Sequence, residues 1–201
     1  MPAGLCQSGG AGPDTADGDR MALLGLLGRK RHERAGFELY TAAVGAARDP
    51  YIFETLGVPD TLDGRFDVIG LHVFLVVHRL HAASKEGQEL AQAVFDAMFS
   101  DMDINLREIG VGDMTVGKRV RAMWEAFNGR SAAYAAALDS GDVMGLAGAI
   151  ARNVWRGQAP PPESAHALAA LALEQSKHLA EQPVEELLAG RVSFRSARAT
   201  E

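Results

Sequence analysis

The stretch Arg65–Ala83 constrains the fold most, because apolar side chains cover nearly every face of the helix it predicts. A helix that is apolar all round lies either in the core of a protein or in a membrane. The longest uncharged part, Val68–Val77, is too short for a bilayer, which takes about 20 residues. The stretch therefore predicts the central helix of a bundle. A strand over Val73–Val77 is the local alternative, although no turn residues divide the stretch.

Amphipathic periodicity predicts helices on both sides of this central one. Apolar residues recur at spacings of three and four, as they do along one face of a helix. Asn128 and Gly129 predict the end of the helix Thr115–Phe127, whose inward face would include Met123 and Trp124. The other predicted helices are Arg34–Arg48, Lys85–Ile109, Ser131–Leu138, Val143–Trp155, Ser164–Ala180 and Val184–Leu188. The fold class is therefore all-α, a single bundle of about six to eight helices.

Composition divides the 201-residue chain into four parts. Residues 1–20 are rich in Gly, Asp, Ala and Pro and predict a disordered leader. Met21, directly after it, is an alternative start of the chain. Residues 21–34 form a basic amphipathic segment, and residues 35–157 form the main helical domain. A stiff Pro-rich linker, Ala159–Pro162, then precedes a C-terminal helical extension, or arm, over residues 163–190.

The segment 21–34 resembles a membrane-surface helix. Four leucines fall within an arc of about 160° on a helix, and basic residues follow them. Apolar side chains followed by cations suit shallow insertion at an anionic lipid surface. The predicted contact residues are Leu23, Leu24, Leu27, Arg29, Lys30 and Arg31. The alternative is that the leucines pack on the rest of this protein.

Several functional classes find no support in the sequence. The 26 acidic and 20 basic side chains give a formal charge of −6, which argues against DNA binding. A single cysteine, Cys6, excludes a disulfide framework and Cys-rich metal sites. Asp101 opens a sequence like a calcium loop, but Leu106 and Gly112 stand where that loop needs Gly and Glu. No common catalytic motif is present. We therefore expect neither a cofactor nor a metal, and no enzymatic activity.

Histidines, charges and methionines have ordinary explanations beside functional ones. His72 is predicted to be a core histidine, and His78 with His81 a surface or capping pair rather than metal ligands. Acidic residues at 96–108 and basic residues at 118–121 would pair across a helix hairpin or form a docking surface. Met98, Met102 and Met123 would be core residues or would line an adaptable client-binding surface.

Several motifs agree in order and spacing with one known family. They are Gly57-Val58-Pro59-Asp60-Thr61, Asp63-Gly64-Arg65-Phe66-Asp67, Leu71-His72-Val73-Phe74-Leu75, Leu106-Arg107-Glu108-Ile109-Gly110-Val111-Gly112-Asp113, Val116-Gly117-Lys118-Arg119-Val120 and Ala126-Phe127-Asn128-Gly129-Arg130 with Ala133-Tyr134. Over roughly residues 36–156 the chain resembles the ubiquinol–cytochrome c chaperone family. Asn128 departs from the family pattern, which often has an aromatic residue there.

The resemblance implies a non-catalytic, all-helical assembly factor for respiratory complex III. Its client would be cytochrome b or the nascent cytochrome b chain, with the ribosome or a small protein as a possible further partner. A bacterial member would act in the cytoplasm, peripheral to the cytoplasmic face of the inner membrane. The motif-bearing surface is the expected site of partner contact or loop ordering, and its residues are Asp60, Arg65, Asp67, Arg107, Glu108, Asp113, Lys118 and Arg119.

Two other hypotheses belong to different functional classes. One is a small helical enzyme that uses an Asp/His pair such as Asp67 and His72, although five residues of separation place them about 140° apart on a helix. The other is a general scaffold that binds protein or RNA through basic side chains, namely Lys118, Arg119, Arg121 and Arg130.

Overall fold

A computed structural model of the protein describes residues 15–156 and 158–197, with side chains from Lys30 onward. The elements are α1 (Thr15–Ala47), α2 (Pro50–Glu54), α3 (Leu62–Ala83), α4 (Lys85–Glu108), α5 (Asp113–Ser140), α6 (Val143–Val154), α7 (Ser164–Glu181) and α8 (Val184–Leu188). Every regular element in these ranges is a helix, which confirms the all-α fold class. Residues 1–31 and residues 32–201 form two compact units, and the packing described below is that of the second.

Helix α3 is the centre of the bundle, as its apolar sequence predicts. Thirteen of its 22 residues are buried, and it packs against α4, α5, α6 and α7. By length and composition it is the one described helix that could cross a membrane, but most of its apolar window lies inside the protein. Met98 of α4 belongs to the hydrophobic core, as one of the two interpretations predicts. Met102 is buried but lines a cavity described below, and Met123 is half-buried.

Short connections make α3, α4 and α5 successive antiparallel neighbours. Ser84 alone separates α3 from α4, and its hydroxyl caps α4 by accepting from the Gly87 amide at 3.0 Å. Four residues separate α4 from α5. The start of α3, the end of α4 and the start of α5 therefore lie at the same end of the bundle. This end carries most of the motif residues.

Helix α5 differs from the sequence prediction in two ways. It continues through Asn128 and Gly129 to Ser140, and ends at Gly141, which takes the left-handed conformation with φ of 67°. Packing on both sides of the predicted break explains this, because the buried Phe127 and the ion-paired Arg130 outweigh the roughly 1 kcal/mol that glycine costs in a helix. In addition Trp124, predicted to face inward, is 47% exposed.

The C-terminal segment shares the core of the main bundle. Helix α7 packs against α3 and α6, and its buried side chains belong to the same hydrophobic cluster as those of α3. Arg79 of α3 donates to the Leu179 carbonyl at 3.1 Å. Residues 163–190 therefore complete the bundle rather than extend away from it as an arm.

The N-terminal predictions fall largely outside the described residues. Residues 1–14 of the predicted leader lie outside them, and α1 begins at Thr15. The side chains of Leu23, Leu24, Leu27 and Arg29 are likewise outside the description. Lys30 and Arg31 are described and exposed. The membrane-surface role of this segment stays a prediction.

Two glycines of α1 offer a matched test of its packing. A Cβ on Gly36 would lie 2.7 Å from the Ala93 carbonyl carbon of α4, whereas a Cβ on Gly45 would meet nothing within 4 Å. We expect Gly36→Ala to lower the free energy of unfolding by about 1–3 kcal/mol through overpacking. Gly45→Ala should raise it by about 0.5–1 kcal/mol, since alanine favours the helix. Urea denaturation of both variants tests this, and equal effects would contradict the close approach of α1 to α4.

His72 is a satisfied core histidine, as predicted. Its Nδ1 lies 2.9 Å from the Val68 carbonyl oxygen, and burial lowers its pKa below the usual 6.5. Below about pH 6.5 the unfolded chain therefore binds a proton that the folded chain resists, so stability falls as the pH decreases. We expect His72→Gln to lose part of the stability difference between pH 7.5 and pH 5. An unchanged difference in urea denaturation would rule out this contribution.

Candidate functional site

The eight predicted partner-binding residues occupy three places. Asp60 and Arg65 lie at the mouth of a cavity, and Asp67 is buried. The remaining five lie at the α4–α5 corner and on the exposed side of α5, namely Arg107, Glu108, Asp113, Lys118 and Arg119. The structure thus places Asp60 next to Arg65, and Arg107 next to Asp113, but does not bring all eight into one site.

The cavity, which we call the motif groove, lies between α2, the start of α3 and the second half of α4. It has a volume of about 410 Å³. Seven of the 13 residues that line it are apolar and six are polar or charged, and the exposed Asp60–Arg65 pair lies at its mouth. The residues that line it are Ala47, Arg48, Pro50, Phe53, Glu54, Asp60, Leu62, Arg65, Phe66, Ile69, Asp101, Met102 and Asn105. Leu62, at its edge, is 45% exposed, so the groove can receive an apolar side chain from a partner.

The loop before α3 holds the mouth of the groove in a fixed form. Gly57 takes the left-handed conformation with φ of 66°. Thr61 caps α3, because its hydroxyl accepts from the Gly64 amide at 3.1 Å. A Cβ on Gly64 would lie 2.0 Å from the Pro59 carbonyl oxygen, so only glycine fits there. These constraints explain the spacing of glycine, proline and threonine in the motif.

Asp60 and Arg65 form a two-point ion pair across this loop. Arg65 donates from Nε to Asp60 Oδ1 at 2.5 Å and from Nη2 to Oδ2 at 3.0 Å. Hydrogen bonding to Arg65 lowers the pKa of Asp60, and the same contact raises the pKa of Arg65. Both side chains are more than half exposed. The pair can therefore order the loop and still remain accessible to a partner.

The α4 wall of the groove is tied to α1. The Tyr40 hydroxyl donates to Asp101 Oδ2 at 2.6 Å. Burial raises the pKa of Tyr40, and the bond to Asp101 raises it further. The phenol therefore stays protonated and keeps its proton in this hydrogen bond. Asp101, which resembles the first ligand of a calcium loop in sequence, is engaged in this way as a structural acceptor.

Asp67 is not on the surface, contrary to the prediction that it contacts a partner. Its fully buried side chain accepts a hydrogen bond from Arg130 of α5 and another from Arg156 Nε at 2.9 Å. Arg156 also reaches Asp63 Oδ2 at 3.0 Å, and its hydrogen bond to Asp67 raises the pKa of Arg156. We call Asp67 and its two arginines, Arg130 and Arg156, the buried ion cluster, because the shared acceptor Asp67 is fully buried. It joins α3 to α5 and to the end of α6.

The buried ion cluster also bears on the two alternative hypotheses. Asp67 is engaged by arginines, while His72 contacts the Val68 carbonyl, so the proposed Asp/His pair does not meet. Arg130 is one-tenth exposed and is paired with Asp67, so its guanidinium is not available to bind RNA at the surface. Among the described residues no three His, Cys, Asp or Glu side chains group as metal ligands.

Charges at the α4–α5 corner pair mostly within their own helices. Arg107 contacts Asp103 at 2.6 Å and also Asp113, and hydrogen bonding to Arg107 lowers the pKa of Asp103. Arg121 pairs with Glu125 at 3.0 Å. The predicted pairing of acidic α4 with basic α5 is not found among the ion pairs described, because the pair that joins these two helices, Arg107–Asp113, has its base on α4 and its acid on α5.

A second cavity, the aromatic groove, runs between α3, α4 and α5 and has a volume of about 490 Å³. Its walls include Phe95, Trp124 and Phe127, and the Phe95 and Phe127 rings lie 5.2 Å apart. His78 and His81 also line it, and His78 Nε2 lies 3.1 Å from Asp139 Oδ1. Sequence analysis missed this groove. Trp124 was the one residue that could have indicated it, but the spacing of this tryptophan along α5 favoured a place in the core.

Known proteins match most of the chain. The family model described as ubiquinol-cytochrome C chaperone matches residues 54–194. This range extends beyond residue 156, where the resemblance noted in the sequence ends, and it includes α7 and α8. A Xenopus laevis protein, ubiquinol-cytochrome-c reductase complex assembly factor 1, is 27% identical over 162 residues, covering 80% of each chain.

Two further proteins support the same relationship. A mouse protein with the same description is 25% identical over 187 residues, which are 92% of this chain but 63% of the mouse protein. A crystal structure described as the Cbp3 homolog from Brucella abortus has a TM-score of 0.78 and 35% sequence identity, and the match covers 90% of this chain and 99% of that one.

Proposed function

Because the chain belongs to the ubiquinol-cytochrome C chaperone family, we propose that it is a non-catalytic assembly chaperone for ubiquinol–cytochrome c reductase, respiratory complex III. The frog and mouse relatives are described as assembly factors of that complex. Its proposed client is cytochrome b or the nascent cytochrome b chain, with the ribosome or a small protein as a possible additional partner. A protein of this kind binds an apolar client and then releases it, which requires no cofactor.

The motif groove is the observation that carries this proposal. It combines apolar wall residues with a mouth at which the exposed Asp60–Arg65 pair lies. Phe66 and Ile69 of α3 and Met102 of α4 supply the apolar surface, and methionine adapts to irregular partners. A cavity of this size accepts one or two apolar side chains rather than a whole helix. Binding would therefore be brief, as suits a chaperone.

We further propose that the protein acts in the cytoplasm, peripheral to the cytoplasmic face of the inner membrane. Support comes from the basic amphipathic segment over residues 21–34, whose Lys30 and Arg31 are exposed. About 1 kcal/mol per basic residue near an anionic surface gives a weak, reversible attachment. Such an attachment would bring the motif groove to the membrane where an apolar client is inserted.

Site-specific crosslinking tests the client and the groove together. A photoreactive amino acid at Leu62, at the edge of the groove, is expected to crosslink cytochrome b in membranes during active synthesis. The control position is Met144, which is 71% exposed and follows the far end of α5. Equal crosslinking from both positions, or crosslinks from Leu62 to ribosomal proteins without cytochrome b, would contradict the proposed client site.

A further inference from the structure

We propose that the C-terminal segment, residues 191–197, presents an open backbone edge to which an extended acidic segment of a partner protein adds as a neighbouring strand. The site is an open groove between this segment and the end of α1, with a volume of about 680 Å³. We call it the C-terminal groove, and its lining includes Gly45, Arg48, Asp49, Val192, Phe194 and Arg195. The inference does not depend on which client the protein binds.

Two glutamines of α7 bind one edge of the C-terminal segment. The Gln182 side chain accepts from the Ser193 amide and donates to the Ser193 carbonyl, both at 2.9 Å. Gln175 makes the same two bonds to Arg195, at 3.0 and 2.6 Å. Each glutamine therefore takes the place of a residue in a neighbouring strand. Because the bonded residues recur every second position, the segment is extended.

The other edge of the C-terminal segment is open. In an extended chain, successive residues point their backbone N–H and C=O groups to opposite edges, so those of Val192 and Phe194 point away from the glutamines. Both residues line the C-terminal groove, and their backbone groups form no hydrogen bond within residues 15–156 and 158–197. Two donors and two acceptors are therefore available there. An unpaired edge of this kind is a template for a strand from another chain.

Contacts with the bundle hold the C-terminal segment in place. The Phe194 ring lies 5.7 Å from the ring of the buried His72, and the Ala197 amide donates to Asp49 Oδ2 at 3.1 Å. Together with the four glutamine hydrogen bonds, these contacts fix both ends of the open edge. A partner segment would therefore bind an edge that is already ordered, which lowers the entropy cost of binding.

The charges of the C-terminal groove favour an acidic partner segment. Both carboxylate oxygens of Asp49 accept from backbone amides, and Arg195 contacts Glu181 at 3.6 Å. Arg48 is exposed and has no ion-pair partner in the part of the chain that the structure describes. A carboxylate on the partner segment can pair with Arg48 while the partner backbone pairs with the open edge.

Amide exchange measured by NMR on the full chain tests the open edge directly. The probe is an end-blocked heptapeptide of alternating valine and glutamate. Without the probe, the amides of Ser193 and Arg195 should exchange more slowly than those of Val192 and Phe194. With the probe at about ten times its Kd, the last two amides should become protected about tenfold.

Three outcomes of this experiment would overturn the proposal. The first is no binding of the probe, and the second is binding without protection of Val192 and Phe194. The third is protection that rises with protein concentration in the absence of the probe, which would mean that the edges of two copies pair with each other.

Two helix glycines provide matched variants for the same probe. A Cβ on Gly45, in the C-terminal groove, or on Gly117, in α5, would meet nothing within 4 Å. Gly45→Glu places a negative charge in the groove and should weaken binding of the acidic probe about tenfold or more. Gly117→Glu changes the net charge equally and should bind the probe as the wild type does. Equal losses in the two variants would contradict the assigned site.

Modified probes separate the backbone contribution from the charge contribution. A probe methylated on all its backbone nitrogens keeps its charges but cannot donate to the open edge, so it should not bind. A probe with glutamine in place of glutamate should bind more weakly than the acidic probe, and Arg48→Gln should remove that difference. Full binding of the methylated probe, or equal binding of the acidic and neutral probes to the wild-type protein, would overturn the proposal.

Discussion

Replacing Asp67 by asparagine is expected to lower the free energy of unfolding by about 3–5 kcal/mol, the cost of breaking a buried ion pair. Asp67 is the shared acceptor of Arg130 and Arg156, and its own side chain has no exposed surface. Asparagine keeps the shape but removes the charge, which leaves Arg130 buried without a counterion. In a chain of this length the loss corresponds to a decrease in Tm of about 6–20 °C.

Asp63 provides the matched control for this prediction. It contacts the same Arg156 at 3.0 Å, but its side chain is 61% exposed. Exposed ion pairs contribute less than about 1 kcal/mol, so Asp63→Asn should unfold close to the wild type. Urea denaturation of both variants at pH 7 measures the difference. Similar losses for the two variants would show that the burial of Asp67 does not determine how much it contributes to stability.

The helical architecture could be predicted from the sequence because periodicity is a local signal. Helix α3 is apolar on every face, and such a helix has to be surrounded by protein or lipid. Its neighbours α4 and α6 have one apolar side each, and their predicted ranges differ from the observed bounds by one residue. These patterns are formed by consecutive residues, so the helices can be predicted without knowledge of tertiary contacts.

The errors arose where distant contacts decide the outcome. Asn128 and Gly129 favour a helix end locally, but Phe127 and Arg130 hold α5 together through contacts with other helices. Asp67 looks like a surface acid in sequence, because its arginine partners lie 63 and 89 residues away. Likewise, Trp124 shares the spacing of core residues but lines the aromatic groove and is 47% exposed. Pairings over such distances are not encoded in local periodicity.

The candidate site was likewise predicted where its residues are close in sequence and missed where they are distant. Sequence analysis identified Asp60 and Arg65, because both belong to the short segment 57–67, whose residue spacing is distinctive. Met102 of α4, across the groove, was one of three methionines considered for a client-binding surface, whereas Phe53 of α2 has no sequence signature of its own. Sequence thus located the mouth of the motif groove but only part of its walls.

Reversing the charge of Arg65 is expected to impair complex III assembly far more than it affects folding. With Arg65→Glu the mouth of the motif groove would keep Glu54, Asp60 and Asp101 and gain a further negative charge. Under the proposed function this should reduce assembled cytochrome b several-fold, measured as the haem b spectrum of membranes from an organism with complex III. The Tm should stay close to that of the wild type, because the Asp60–Arg65 pair is exposed.

The double variant D60R/R65D separates the two roles that this pair can have. It keeps an ion pair across the loop but exchanges the positions of the two charges at the groove. If the pair acts by contact with a partner, the exchange should leave haem b low although the loop is ordered and the Tm is retained. Recovery of haem b in the double variant would instead show that Asp60 and Arg65 serve only to order the loop, and the client contacts would then have to lie among the apolar walls of the groove.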